Sequence, residues 1–128
     1  MKGHLILFHA TMIPMKSGTP PRLPVIILAA GFSSRFGRPK ALARRGAVSL
    51  LRRTLSCLEP LAPEKIVIVV PRNLARYRTE TRDHRVCWAI NRRRSEGLSS
   101  SVRRGLAEVR YAPAVLLLPV DLASLRQR

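Results

Sequence analysis

Apolar positions along this chain fall into two alternating patterns. The segments "PVIILAA" (24–30), "KIVIVV" (65–70) and "AVLLLPV" (114–120) are apolar runs with no polar alternation. Such runs predict strands buried on both faces, because a half-exposed strand alternates with period two. "RVCWAI" (85–90) predicts a fourth, weaker strand. Between the runs the spacing becomes helical. In "SLLRRTLSCL" (49–58), Leu50, Leu51, Thr54, Leu55 and Leu58 share one face, with Arg52 and Arg53 opposite. "NLARYRTETR" (73–82) predicts a short helix. "GLSSSVRRGLAEV" (97–109) predicts a serine-capped helix with Val102, Leu106 and Val109 on one face.

Strands alternating with helices, each strand uniformly apolar, imply an α/β domain with a mostly parallel sheet and helices on both faces. Ligands of such sheets bind beyond the carboxyl ends of the strands. The loop from Ala30 to Leu42 and the acid Asp121 both follow strands, so they can share one site although they are far apart in sequence. The domain runs from residue 23 to 128. Residues 1–22 read as a disordered extension, with "KSGTPPRLP" as the linker into the domain; Met12 and Met15 offer alternative translation starts. "LILFHATMIP" follows Lys2 like a short signal segment but lacks a small-residue cleavage site. No apolar run reaches the roughly 18 residues of a membrane span. The expectation is a cytoplasmic protein with no membrane partner.

Composition changes this picture little. A chain of 128 residues, 46% hydrophobic, suffices for one core. The net charge of +17 points toward anionic partners. The basic residues, however, are mainly arginines scattered from Arg22 to Arg128, and the only dense cluster is Arg92, Arg93 and Arg94, read as a solvated turn. Aromatic residues make up 5% and are not interleaved with the charge, which ranks a nucleic-acid-binding module low. Cys57 and Cys87 lack metal-ligand spacing and read as small core residues. His4, His9 and His84 are isolated, so a zinc site has no support.

The chemistry concentrates in "GFSSRFGRPK" (31–40). Gly31 permits a tight turn, successive N–H groups in such turns bind anions, and Arg35, Arg38 and Lys40 add positive charge. The segment is neither a P-loop nor a dinucleotide fingerprint. On spacing alone, a polyphosphate cradle and a solvated basic loop both remain open. Asp121 reads either as a turn cap or as a Mg²⁺ ligand beside phosphate oxygens. Ser99, Ser100 and Ser101, where a helix begins, read as caps or as contacts to a ribose or phosphate. Asn91 either meets a base or satisfies a turn.

The ordered set "LAAGFSSRFGRPKAL", "EGLSSSVRRGL" and "LLLPVDL" resembles the MobA-like nucleoside triphosphate transferases, most nearly the molybdenum cofactor cytidylyltransferases. The first segment follows that family's L-A-A-G-x-S-x-R-x-G-x-x-K pattern throughout. The resemblance spans Leu23 to Leu122 and implies a Rossmann-like three-layer sandwich. It implies transfer of CMP from CTP to a phosphate-bearing acceptor such as molybdopterin, with Mg²⁺ as cofactor. By position, Ala29, Ala30 and Gly31 belong to the nucleotide-holding turn, and Lys40 is the phosphate lysine. Arg35 neutralises the triphosphate, Ser101 lies in the segment that reaches the nucleoside, and Asp121 is the metal ligand. Two features depart from the family: Ala123 stands where proline is usual, and the chain ends at Arg128, short of the strands that complete the sheet and bind the acceptor. The resemblance therefore implies a C-terminally truncated, nucleotide-binding part. A sugar- or alditol-phosphate nucleotidyltransferase is the neighbouring alternative.

Overall fold

The computed structural model describes residues 6–8, 22–30 and 39–120, with the backbone alone at Ile6–Phe8 and Arg94. The three apolar runs form the middle of one sheet. Its strands are β1 (Ile6–Phe8), β2 (Pro24–Leu28), β5 (Lys65–Val70), β6 (Cys87–Ile90) and β7 (Val115–Pro119), in the order β1-β7-β2-β5-β6. β7, β2, β5 and β6 run parallel, and only β1 is antiparallel, pairing Ile6 with Leu117 and Phe8 with Val115. The stretch 1–22, read from sequence as an extension, thus contributes an edge strand. A two-stranded ribbon, β3 (Arg44–Arg45) and β4 (Val48–Ser49), leads into the first helix.

Because side chains alternate across a strand, each apolar run feeds two cores. Val25, Ile27, Ile68, Val70, Leu116 and Leu118 face one side, together with the helices α1 (Leu50–Leu58) and α2 (Leu74–Arg78). Ile26, Leu28, Val67, Val69, Val115 and Leu117 face the other, against α3 (Leu98–Leu106). This is the α/β arrangement with helices on both faces expected from the alternation, and the Rossmann-like three-layer sandwich that the resemblance implies. Fully burying one such aliphatic side chain contributes about 1.5–3 kcal/mol, so losing the alternation at a single strand would be severe.

The stripe expected on α1 is the buried one: Leu50, Leu51, Thr54, Leu55 and Leu58 all lie inside. Ser49 caps this helix, its Oγ accepting from the Arg52 N–H at 3.1 Å. α2 is shorter than its pattern suggested and tightens into a 3₁₀ turn over Thr79–Thr81. The expected serine cap of α3 is corrected. Gly97 is the cap residue, at φ 97°, where L side chains are strained, and the three serines lie inside the first turns. Gly105 explains how close α3 comes to the sheet. A Cβ there would meet Ile26 Cγ2 at 2.6 Å and Val69 Cγ2 at 3.0 Å. Cys57 and Cys87, expected as core residues, are only half-buried.

Candidate functional site

Four parallel strands deliver their C-terminal ends to one rim of the sheet. β2 ends at Leu28, and the next residue keeps its place in the ladder: Ala29 N–H donates to Val69 O at 2.8 Å. Ala29 and Ala30 are buried on opposite faces of the sheet, so the chain is held firmly as it enters the loop. On the neighbouring strand, Leu28 pairs with Pro119, and Val120 N–H donates to Leu28 O at 3.3 Å. Thr54 Oγ1, from α1, lies 3.1 Å from Val120 O and 2.9 Å from Leu50 O. Both backbone groups of Val120 are therefore engaged immediately before Asp121 in the chain.

Lys40 re-enters the described chain on a 3₁₀ turn, Lys40–Leu42. Pro39 precedes it in an extended conformation, and Ala43 N–H donates to Lys40 O at 3.0 Å. Ala41 is fully buried in the α1 core, whereas Lys40 is exposed. The small apolar neighbour anchors the turn. Gly31, Arg35, Arg38 and Asp121 lie outside the described residues.

At the end of β6, Asn91 N–H donates to Val70 O at 2.8 Å and the side chain is buried. Its Nδ2 donates to Ser101 Oγ at 2.8 Å and Ser100 Oγ at 3.0 Å, while its Oδ1 accepts from Arg93 N–H at 2.9 Å. Asn91 is therefore a clamp between strand and helix, the turn-satisfying alternative of the two the sequence left open. Ser100 Oγ lies 2.7 Å from Gly97 O and 3.0 Å from Arg93 O, so it closes the same turn. Ser101 Oγ accepts from Asn91, and among the described residues its own hydrogen meets no acceptor. The clamp was missed in sequence because an asparagine nine residues before a serine is not a local motif. Gly97, which makes the clamp possible, was signalled only as a glycine ahead of the helix.

The described residues contain no group of three or more His, Cys, Asp or Glu side chains that could hold a metal. They also contain no helix long and apolar enough to cross a membrane. His84 Nε2 is 3.0 Å from Glu59 Oε1, an ion-pair geometry remote from the rim. Among the described residues one titratable group shifts clearly. The Tyr111 hydroxyl lies 2.7 Å from both Glu64 carboxylate oxygens, and this hydrogen bond raises its pKa above 10.0, with desolvation and the carboxylate charge adding to the rise. Tyr111 precedes β7 and Glu64 precedes β5, so the pair sits at the opposite end of the strands from the rim. A cleft of about 760 Å³ lies outside β6. It shares Asn91 and Ser100 with the rim but includes neither Ala29, Ala30, Lys40 nor Ser101.

Known proteins resemble this chain in sequence or in fold. The bifunctional enzyme IspD/IspF of Clavibacter michiganensis subsp. michiganensis is 41% identical over 70 residues, a stretch amounting to 48% of this chain and 17% of that protein. The crystal structure of Rv0371c from Mycobacterium tuberculosis H37Rv superposes with a TM-score of 0.62 at 25% identity. That match covers 85% of this chain and 59% of Rv0371c, so this chain spans less than two thirds of either relative. The family model of the MobA-like NTP transferase domain matches residues 25–128, from the first core strand through Asp121, and the chain belongs to that family.

Proposed function

We propose that this chain carries the nucleotide site of a transferase that moves CMP from CTP to a phosphate-bearing acceptor, with molybdopterin as the acceptor and the cytoplasm as the setting. The observation that carries the reading is the convergence at one rim: Ala29 leaves β2 beside Val120, whose two backbone groups are hydrogen-bonded, and Asp121 follows directly in the chain. Family membership supports a nucleoside triphosphate as donor. The choice of CTP rests on the likeness of "GLSSSVRRGL" to the cytidylyltransferase branch, and the choice of molybdopterin rests on the same likeness.

In this reading an acceptor phosphate oxygen attacks the α-phosphorus of CTP. A new P–O bond forms, the bond to the α,β-bridging oxygen breaks, and pyrophosphate leaves with that electron pair. A phosphate monoester is largely dianionic at neutral pH, so the attacking oxygen needs no general base. What the protein must supply is alignment and compensation of charge. The segment after Ala30, with Gly31, would hold the triphosphate, and Arg35 and Lys40 would offset the charge that grows on the departing pyrophosphate. Ser101, held by Asn91, directs its remaining hydroxyl hydrogen to the nucleoside. The donor set suits Mg²⁺: one carboxylate, Asp121, at a strand end whose backbone is fixed, with phosphate oxygens completing the shell. Asp121 would hold Mg²⁺ there, and the ion would supply neutralisation of the triphosphate.

The test is Asp121→Asn. It is expected to weaken CTP binding about tenfold or more in Mg²⁺ and to leave binding unchanged in EDTA. If the variant keeps the wild-type Mg²⁺ dependence, Asp121 is a turn cap and the metal assignment fails.

A further inference from the structure

Among the described residues β6 ends the sheet, and no strand lies beside its outer edge. In a parallel ladder alternate residues direct both backbone groups to the same side. Asn91 N–H bonds to Val70, placing residues 87, 89 and 91 toward β5, so Trp88 and Ile90 direct their backbone groups outward. Among the described residues, only the Ile90 carbonyl of this outward set is engaged, by Arg104 Nε at 3.2 Å. An edge of this kind is a template for another strand.

The cleft of about 760 Å³ lies along this edge. Its two sides differ. Toward α2 it is apolar, with Leu74, Trp88 and Ile90 all half-exposed. Toward α3 and the turn after β6 it is basic, with Arg92, Arg93 and Arg103 exposed. Arg78 adds a further exposed cation on the α2 side, and Glu96 is the lone acid of the lining.

From this we infer that the β6 edge docks an extended acidic segment of another protein, which adds a strand to the sheet. Alternation in such a segment would place apolar side chains on Trp88 and Ile90 and carboxylates against Arg103 and its neighbours. Main-chain bonds would hold it, and the arginines would select its charge. The partner is not a second copy of this chain. Its seven acids against 24 basic residues would bring like charge to like at the edge. A single strand of nucleic acid fits less well, because it cannot use the outward Trp88 and Ile90 backbone groups and only one aromatic residue lines the cleft.

Trp88 is the only tryptophan, so its emission reports on the cleft. The full chain would be titrated at low salt with an eight-residue acetylated peptide alternating valine and glutamate. Parallel titrations would use the same peptide N-methylated at every second backbone nitrogen, and a ten-nucleotide oligothymidylate. The expected result is a saturable shift in Trp88 emission with the first peptide. Affinity should fall about tenfold or more on N-methylation, and similarly in Arg78→Glu/Arg103→Glu, whose folding is checked by circular dichroism. The milder Arg78→Gln/Arg103→Gln pair should show a smaller loss in the same direction, and serves if the reversal unfolds the chain. Equal binding of the N-methylated peptide would overturn strand addition. Tighter binding of the oligonucleotide would reassign the cleft to nucleic acid, and no emission change with any probe would remove it as a docking surface.

Discussion

Replacing Gly105 with alanine tests how tightly α3 is seated, and therefore how the clamp at Asn91 is held. In an isolated helix this change stabilises by about 1 kcal/mol, since glycine is the poorer helix former. Here the added methyl would lie 2.6 Å from Ile26 Cγ2 and 3.0 Å from Val69 Cγ2. Neither neighbour can retreat, because Ile26 and Val69 are both fully buried in the middle of the sheet. Forcing a methyl group into a packed interior costs roughly 1–3 kcal/mol. At the 2.6 Å contact the upper part of that range applies, so the net effect should be a loss of about 1–2 kcal/mol after the helix-propensity gain. Urea denaturation of the full chain measures it as a lower midpoint with unchanged slope. Ile26→Ala in the Gly105→Ala background should then cost less than in wild type, by at least about 0.5 kcal/mol, because it opens room for the methyl. A midpoint raised by Gly105→Ala would refute the reasoning, since propensity alone would then be setting the outcome.

Two further outcomes follow from named contacts. Thr54→Val keeps shape but removes the hydroxyl beside Val120 O, and should lower unfolding stability by about 1–3 kcal/mol; an unchanged urea midpoint would show that this bond contributes nothing. Tyr111 has a folded-state pKa raised by its bond to Glu64, so the folded chain holds that proton more tightly than the unfolded one. Its contribution is complete below pH 10 and is lost as pH rises through the folded value; Tyr111→Phe should be less stable near neutrality and flatter above pH 10, and parallel wild-type and variant stability curves would contradict this.

Much of this organisation was legible before any coordinates. Uniform apolar runs fix which segments are doubly buried, and the α1 stripe is the same five residues in sequence and in structure. What escaped depended on contacts between segments. The α3 cap is Gly97 because the serines are drawn inward by Asn91, a partner that local capping rules do not see. Gly105 reads in sequence as a weak helix residue, and its packing reason appears only once Ile26 lies beneath it. The edge strand Ile6–Phe8 lies in "LILFHATMIP", a run that reads in sequence as a short signal-like segment of a disordered extension. At the rim, the motif order marked Ala29, Ala30, Lys40 and Ser101. The pinning of Val120 by Thr54 needed the fold, since a threonine within a helical stripe reads only as a core position.

The central claim is that the loop from Ala30 to Lys40 holds a nucleoside triphosphate. Calorimetric titration of the full chain with CTP and Mg²⁺, against Lys40→Ala and Arg38→Ala, tests it most directly. Lys40 is exposed, so solvent screening limits its contact with phosphate to about 1–2 kcal/mol. The account predicts saturable binding by the wild type, a five- to thirty-fold loss, roughly, in Lys40→Ala, and a smaller loss in Arg38→Ala. Equal and negligible losses in both variants, or no CTP binding by the folded chain, would contradict it.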